Sequence, residues 1–486
     1  MTAGNVPGPQ DAGPVVTRTE STPVRRRDIG LRSERGPVLL AVMLSTALVA
    51  LDQTIVSTAV PSIVADLGGF RQFPWLFSVY LLAQAATVPS IGKLADQFGR
   101  KPLMYYGIAT FLLGSVLCAA AWSMPVLIVA RGLQGLGAGA VQPTGMTIIG
   151  DIYSLRERAK VQGYVASVWG VSAVVGPTIG GAFSQYLTWR FIFWVNVPMC
   201  LLAAWMLRRF AERVESRPAR IDYLGAVLLT AATTLVVLGL LEGGHTWAWG
   251  SWQTPAVFGA AAVLLAAFVR VERSAEQPVL PPWVFRSHVL RVTSAISLLV
   301  GGLILGLSSY VPTLGQDVLG ASAIVSGFAL ATLTIGWPIS AALAGRLYLS
   351  IGFRATGLIG VALAAAGALV LVVWDPAGSL WHIALGCLLI GFGMGWVAAP
   401  ALVVAQSSVA WGDRGVATAT NMFARSVGSA VCVAVFGAMV NAVAGDHPTP
   451  AELATGVHRV FWGILVLTLA MGALELAMPR RVTPPG

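Results

Sequence analysis

The feature that most constrains this chain is a series of long apolar runs that recur from residue 38 almost to the C-terminus. A helix rises 1.5 Å per residue, so about 20 apolar residues cross the hydrocarbon core of a bilayer. The runs are continuous rather than alternating, and they therefore predict helices rather than the strands of a barrel. Fourteen candidates lie near 38–60, 74–93, 102–121, 124–150, 160–184, 190–208, 222–241, 255–270, 292–312, 322–345, 355–374, 380–406, 416–441 and 457–477.

The composition excludes several other classes of protein. Charged residues make up 11% of the 486 residues, whereas a soluble domain carries roughly 25%. A soluble enzyme, a disordered chain and a disulfide scaffold are therefore excluded. We predict an all-α polytopic membrane protein with fourteen transmembrane helices.

The basic residues predict how the chain is oriented. If the N-terminus is cytosolic and the chain crosses fourteen times, nearly all Lys and Arg residues outside the spans lie in the cytosol. The exceptions are Arg71, Arg190 and Arg459. This distribution follows the positive-inside rule, so the net charge of +10 indicates membrane topology rather than nucleic-acid binding. We expect a multi-pass protein of a bacterial plasma (inner) membrane, with cytosolic tails at 1–36, predicted to be disordered, and 480–486.

An internal repeat predicts two similar halves. GKLADQFGRK at 92–101 is matched by GRLYLSIGFR at 345–354, and QGLGAGAV at 134–141 is matched by IGFGMGWV at 390–397. The offset is similar for both pairs, which indicates two parallel six-helix halves and two helices inserted between them. We place the halves at 37–209 and 291–479, and the inserted helices with their flanking loops at 210–290.

Five segments in this order resemble the major facilitator superfamily, and in particular its fourteen-span drug:proton antiporter branch. They are LDQTIVSTAVPSI (51–63), GKLADQFGRK (92–101), RGLQGLGAGAV (131–141), GVSAVVGPTIGG (170–181) and WRFIFWVNVP (189–198), and DYLG (222–225) agrees with them. The resemblance implies multidrug efflux, and with it antibiotic resistance: a secondary transporter that exports amphipathic, often cationic, compounds in exchange for protons by alternating access. An exporter with a narrow substrate, such as a lipid, a siderophore or an antibiotic, and an importer stay open as alternatives.

Asp52 and Arg131 are the predicted proton-coupling residues. Asp52 lies deep in the first span, where a carboxylate costs about 2.5–3.5 kcal/mol on insertion scales. Arg131 lies at a similar depth in the fourth span, and a nearby guanidinium favours the ionised carboxylate. If rocking of the halves changes their separation, Asp52 gains and loses a proton. The resemblance implies a role for Arg131 in proton transfer, and a purely structural ion pair is the alternative.

Two further sets of residues gain roles from the resemblance. Asp96, Arg100 and Asp151 are expected to form a cytosolic gate, with ordinary loop solvation as the alternative; Leu349 replaces the aspartate in the second copy. The glycines and proline of the fifth span imply an interface hinge and export, although tight helix packing alone accounts for the same residues. This hinge set comprises Gly170, Gly176, Pro177, Gly180 and Gly181.

The remaining polar residues of the spans predict a substrate cavity. We assign Gln84, Gln134 and Arg425 to the cavity lining, with interhelical hydrogen bonds as the alternative for the two amides. Arg425 has no evident acidic partner. Glu475 lies near a span end, and its side chain is expected to reach towards the interface.

The sequence indicates no cofactor beyond the proton gradient. It contains no GxxxxGK[ST] motif, no HExxH motif and no CxxC motif. No catalytic cluster or soluble domain is evident, so we predict that the chain is not an enzyme. The expected partners are an amphipathic small molecule, protons and the lipid bilayer, with the protein as a monomer and without nucleic acid or metal.

Overall fold

The structure is a computed structural model. It describes residues 30–31, 33, 35–153, 155–208, 210, 222–243, 246–275, 278, 282–374, 379–409, 414–445 and 448–479. Within them helices are joined by turns and irregular connections, and the β-structure is limited to one isolated bridge between Gly243 and Trp247. The all-α prediction is confirmed.

Sixteen α-helices follow one another through the described residues. They are α1 Gly36–Leu67, α2 Pro74–Phe98, α3 Arg100–Ala119, α4 Met124–Ile152, α5 Leu155–Tyr186, α6 Phe191–Trp194, α7 Asn196–Leu207, α8 Tyr223–Glu242, α9 Gln253–Ser274, α10 Pro282–Arg286, α11 His288–Thr313, α12 Ala323–Ile351, α13 Phe353–Val372, α14 Leu380–Ser407, α15 Arg414–Asn441 and α16 Pro450–Ala477. A 3₁₀ turn, Phe70–Gln72, precedes α2, and a π-helical segment, Leu314–Val318, follows α11.

Each of the fourteen predicted spans overlaps a helix. Eleven helices in the described part are long and apolar enough to cross a membrane. The other predicted spans coincide with α2, α5 and the α6–α7 pair. The described part of the chain is therefore all-helical with eleven candidate spans, and the count of fourteen stays a prediction.

The sixth predicted span is not one continuous helix. It divides into α6 and α7 at Val195. Asn196 begins α7 with its side chain fully buried. The apolar composition of 190–208 is the same on both sides of the division, so hydropathy alone does not reveal it.

The short connections make successive long helices run in opposite directions through the bundle. We call the end at which α1 begins the basic face, because Arg100, Lys101, Arg208 and Arg354 lie there. At this face Lys101 Nζ donates hydrogen bonds to the carbonyls of Arg208, at 3.0 Å, and Phe210, at 2.6 Å. We call the other end the opposite face.

The helices from α1 to α7 and those from α11 to α16 form two groups, which we call the N-terminal and C-terminal halves. Two seams join the halves: α2 packs on α15, and α5 packs on α12. Between the seams α1 packs on α11. The inserted helices α8 and α9 pack on each other, and α8 also packs on both α2 and α15.

Glycines permit the close helix contacts within each half. A Cβ on Gly137 of α4 would lie 2.7 Å from the Cα of Phe111 of α3. A Cβ on Gly336 of α12 would lie 2.8 Å from the backbone nitrogen of Phe392 of α14. Both glycines therefore place two backbones in direct contact, as expected for small residues at membrane helix interfaces.

Three hydrogen bonds join the two halves directly in the described residues, and all of them lie towards the opposite face. Gln316 Nε2 donates to the Thr58 carbonyl at 3.2 Å, and Asn441 Nδ2 donates to the Arg71 carbonyl at 3.2 Å. Ser78 Oγ donates to the Ala430 carbonyl at 3.1 Å. The halves are thus held together at the opposite face.

Candidate functional site

The most strongly buried polar network of the N-terminal half surrounds Asp52. Asp52 lies midway along α1 and is 1% exposed. At this level α1 packs against α4, α5 and α7. The surrounding side chains, rather than water, therefore supply its hydrogen-bond partners.

Arg131 of α4 is the charged partner of Asp52. Its Nη1 lies 2.5 Å from Asp52 Oδ2, and the arginine is 1% exposed. Its Nε donates to the Leu76 carbonyl at 3.2 Å, and its guanidinium carbon lies 4.1 Å from the centre of the Tyr80 ring. The predicted proximity of Asp52 and Arg131 is confirmed, while their role in proton coupling stays a prediction.

Gln134 completes the contacts of the carboxylate. Its Nε2 donates to Asp52 Oδ1 at 2.7 Å and to Ser115 Oγ at 2.8 Å, and its Oε1 accepts from Arg131 Nη1 at 2.7 Å. Asn196 Nδ2 lies 3.2 Å from Ser115 Oγ and 3.5 Å from Asp52 Oδ1. Both carboxylate oxygens are therefore satisfied by side chains.

The network corrects one part of the sequence-based hypothesis. Asp52 and Arg131 both belong to the N-terminal half, so rocking of the halves as rigid bodies does not change their separation. A change in the Asp52–Arg131 contact requires movement of α1 against α4, or entry of water or substrate beside them.

The structure describes the predicted cytosolic gate only in part. Arg100 begins α3 at the basic face and is half-buried. Asp96 lies in the last turn of α2, and Asp151 lies in the last turn of α4, so all three backbones reach the same face. The side chains of Asp96 and Asp151 lie outside the described residues, and the gate stays a prediction.

The glycines and proline of α5 lie between α1 and α12. A Cβ on Gly176 would lie 2.8 Å from Thr54 Cβ, and one on Gly180 would lie 2.7 Å from the Ile55 carbonyl oxygen, both on α1. A Cβ on Gly181 would lie 2.8 Å from the nitrogen of Ile324 on α12.

Pro177 and Gly170 also face α12. A Cβ on Gly327 would lie 2.9 Å from Pro177 Cβ, and one on Gly170 would lie 3.9 Å from Pro338 Cγ. This set of residues therefore lies at the seam between the halves. A hinge function stays a prediction.

The three predicted cavity residues occupy different surroundings. Gln84 is 4% exposed and donates to Gln142 Oε1 at 3.1 Å between α2 and α4, and Gln134 is fully buried in the Asp52 network. Both amides thus make interhelical hydrogen bonds, the alternative that the sequence left open. Arg425 is half-buried on α15, and its guanidinium carbon lies 6.0 Å from the centre of the Trp337 ring on α12.

We expected the side chain of Glu475 to reach towards the interface, but the structure places it inside the bundle. It is fully buried, and neither carboxyl oxygen has a hydrogen-bond partner among the residues that the structure describes. The carboxyl group packs on Gly357 of α13, where the Cβ of any other residue would overlap with it.

Sequence reasoning did not assign Ser115, Tyr80 or Asn196 to this network. Each is a single polar side chain in an apolar helix, and such a pattern does not predict which neighbouring helix the side chain contacts. Only the packing of α2, α3 and α7 around α1 and α4 brings them to Asp52 and Arg131.

The fold and the buried charge pair define a polytopic helical transporter, and comparison with known proteins identifies its family. Residues 42–433 match the Major Facilitator Superfamily. The chain belongs to this family, whose members are transporters rather than enzymes.

Curated relatives include bacterial and fungal transporters. The chain is 33% identical over 418 residues to multidrug transporter protein MdtP of Bacillus subtilis, covering 86% of this chain and 77% of the relative. It is 35% identical over 401 residues to multidrug resistance protein 3 of the same species, covering 82% and 78%. It is 31% identical to the MFS-type efflux pump LUC4 of a Fusarium species, covering 83% and 74%.

Solved structures agree on the fold. A bacterial homologue of the human lysosomal transporter Spinster, in an inward-facing and unoccupied conformation, superposes with a TM-score of 0.66 and 16% identity, covering 92% of this chain and 98% of that one. The D-xylose–proton symporter superposes with a TM-score of 0.66 and 15% identity, covering 92% and 99%.

Proposed function

We propose that this protein is a proton-coupled secondary transporter that exports amphipathic organic compounds by alternating access, a multidrug efflux function. The buried contact between Asp52 and Arg131 carries the proposal. An ionisable residue at this depth in a membrane protein is costly, and it marks a functional site by default. The names of the relatives in Bacillus subtilis and Fusarium support efflux.

The proton step follows from the contacts of Asp52. Arg131 and Gln134 each donate a hydrogen bond to a different oxygen of the carboxylate. Movement of α4 away from α1 removes both donors at once, because both residues lie on α4. The carboxylate then accepts a proton, and the return of α4 expels it.

The three hydrogen bonds between the halves at the opposite face support a conformation closed on that side. In our proposal the basic face is cytosolic, so this is the conformation that loads substrate from the cytosol. Export rests on the Gly and Pro residues of α5 and on the efflux relatives.

The remaining parts of the proposal concern location and partners. We place the protein in a bacterial plasma membrane with both termini in the cytosol, as fourteen spans require. It works as a monomer with the proton gradient as its energy source and without a cofactor. A narrow-substrate exporter and an importer are the alternatives.

Asp52→Asn tests the proposal. In vesicles with an imposed pH gradient, we expect efflux of an amphipathic dye to fall to the background level, because asparagine cannot exchange a proton. Asp66→Asn is the matched control, since Asp66 also pairs with an arginine, Arg190, at 2.7 Å but lies at the opposite face.

The outcomes separate the alternatives. Gradient-driven efflux in Asp52→Asn equal to wild type contradicts proton coupling through Asp52. Net uptake with the natural direction of the gradient identifies an importer. Transport of one compound class among many dyes identifies the narrow-substrate exporter.

A further inference from the structure

Arg425 lies at mid-depth in the C-terminal half. It is the twelfth of the 28 residues of α15, and Trp337 is the fifteenth of the 29 residues of α12. The guanidinium carbon of Arg425 lies 6.0 Å from the centre of the Trp337 ring. An arginine and an aromatic ring therefore meet near the middle of the predicted membrane.

This pair lies between two helices that both pack on the N-terminal half. α12 and α15 each pack on α11 and α14, and each also forms one of the two seams. One face of the C-terminal half is directed towards the N-terminal half. Side chains that reach from α15 towards α12 therefore lie on this face. Arg425 and Trp337 are both half-buried, which fits this partly open position.

Arg425 has no ionic partner and no side-chain hydrogen bond among the described residues. The ion pairs Asp52–Arg131 and Asp66–Arg190 both lie in the N-terminal half. A guanidinium presents five donors in a planar fork, and membrane arginines are normally paired. The contact with the Trp337 ring satisfies its charge only in part.

Polar groups continue from Arg425 towards the basic face. One turn earlier on α15, Asn421 Oδ1 accepts from Ser297 Oγ of α11 at 2.7 Å. Near the start of α15, Gln406 Nε2 of α14 donates to Thr418 Oγ1 at 2.9 Å. The polar strip thus leads from the basic face to Arg425.

We propose that Arg425 binds an acidic group of the transported compound, while Trp337 contacts the apolar body of that compound. A carboxylate matches the fork of arginine with two parallel hydrogen bonds. The inference rests on the proposed transport function and names its substrate class: amphipathic organic acids, including zwitterions.

The charges of the spans favour an acid over a simple cation. Asp52 is not free to attract a cation, because Arg131 and Gln134 occupy both of its oxygens. Asp52 and Arg131 together are neutral, whereas Arg425 adds a positive charge with which no described acidic side chain forms an ion pair. A cationic compound beside Arg425 is repelled, whereas an anionic group is attracted.

The test compares 1-pyrenebutyric acid with its methyl ester, which has the same apolar body without the charge. Binding to the purified full-length protein in nanodiscs is measured by energy transfer from tryptophan to pyrene, without a proton gradient. We expect the wild type to bind the acid at least about tenfold more tightly than the ester, because one charge-assisted hydrogen bond contributes a difference of this size.

Three variants locate the effect. We expect Arg425→Gln to weaken binding of the acid about tenfold and to leave the ester unchanged. Arg425→Lys retains the charge without the fork, so we expect intermediate acid binding. Arg459→Gln, which removes an exposed arginine at the opposite face, is the control and should bind both probes like the wild type.

Equal affinity of the wild type for acid and ester overturns the inference, and this comparison needs no variant to fold. If Arg425→Gln weakens binding of the acid and of the ester equally, the inference is also overturned, because Arg425 then affects only the packing of the site. Failure of the proposed proton coupling can be told apart from failure of this inference. The first is seen in the Asp52→Asn vesicle assay and leaves the difference in affinity between acid and ester unchanged.

Discussion

Gln134 holds the Asp52 network together at the scale of single residues. Its Nε2 donates to Asp52 at 2.7 Å and to Ser115 at 2.8 Å, and its Oε1 accepts from Arg131. No other side chain in the described network contacts all three. The position of Gln134 therefore fixes both members of the ion pair.

We expect Gln134→Leu to lower the free energy of unfolding by about 1–3 kcal/mol, because it leaves a buried carboxylate oxygen without its donor. Thermal unfolding in detergent measures the effect. Gln84→Leu is the control: its partner Gln142 is half-buried and uncharged, so its loss should be smaller, about 0.5–1.5 kcal/mol. Equal losses in the two variants contradict a special role for Gln134.

The sequence predicted the ion pair but not its surroundings. Asp52 and Arg131 stand out because charges are rare in apolar runs, and the direction of each span gives their depth. Depth does not give rotation about the helix axis, so Ser115 and Asn196 could not be assigned to them. The same gap explains Glu475, whose burial against Gly357 depends on how α16 is rotated.

At the scale of helices, small residues set the distance between neighbours. Gly137 places α4 directly on the backbone of α3 at Phe111. Gly259, exposed on α9, has no atom within 4 Å of a built Cβ. The two glycines therefore separate the effect of packing from the intrinsic effect of glycine in a helix.

We expect Gly137→Ala to destabilise the protein by about 1–3 kcal/mol, because the added methyl group forces α3 and α4 apart. Gly259→Ala should be neutral or stabilise by about 0.5–1 kcal/mol, since alanine favours the helix. Thermal unfolding of the two variants side by side checks this. A loss in Gly259→Ala as large as in Gly137→Ala would contradict the assignment of the loss to the close contact at Gly137.

Hydropathy predicted helices well and their interruptions poorly. The ranges of the fourteen apolar runs all overlap helices, because length and apolarity are local properties of the chain. The division between α6 and α7 lies inside one such run. Pro198, three residues after Val195, has no N–H to bond to the Trp194 carbonyl, so the local sequence carries a signal that hydropathy does not include.

At the scale of the whole molecule, the halves are joined at the opposite face. Asn441 Nδ2 of the C-terminal half donates to the Arg71 carbonyl of the N-terminal half at 3.2 Å. Alternating access requires this contact to open once in each transport cycle.

We expect a cross-link between Arg71→Cys and Asn441→Cys to reduce transport to the background level, and a reductant to restore it. The four native cysteines are buried and should not react. The control links Asp66→Cys to Arg190→Cys within the N-terminal half and should leave transport unchanged, since that pair moves as one body. Undiminished transport by the first cross-linked protein contradicts opening at this face.

The internal repeat predicts two halves, because matched segments at similar offsets indicate matched structures. It did not predict where the inserted helices attach. Sequence places α8 and α9 between the halves along the chain, whereas their position in space depends on contacts such as that of Trp75 Nε1 with Glu242 Oε1, at 3.0 Å.

That attachment makes the transporter's two flanks unequal. On one flank α8 covers the seam between α2 and α15. The Trp75 indole of α2 donates a hydrogen bond to Glu242 at the end of α8. On the other flank, where α5 meets α12, the described residues include no such cover. Among the described helices, α8 therefore separates one seam from the surrounding lipid, whereas the seam near Pro177 and Gly181 has no such helix.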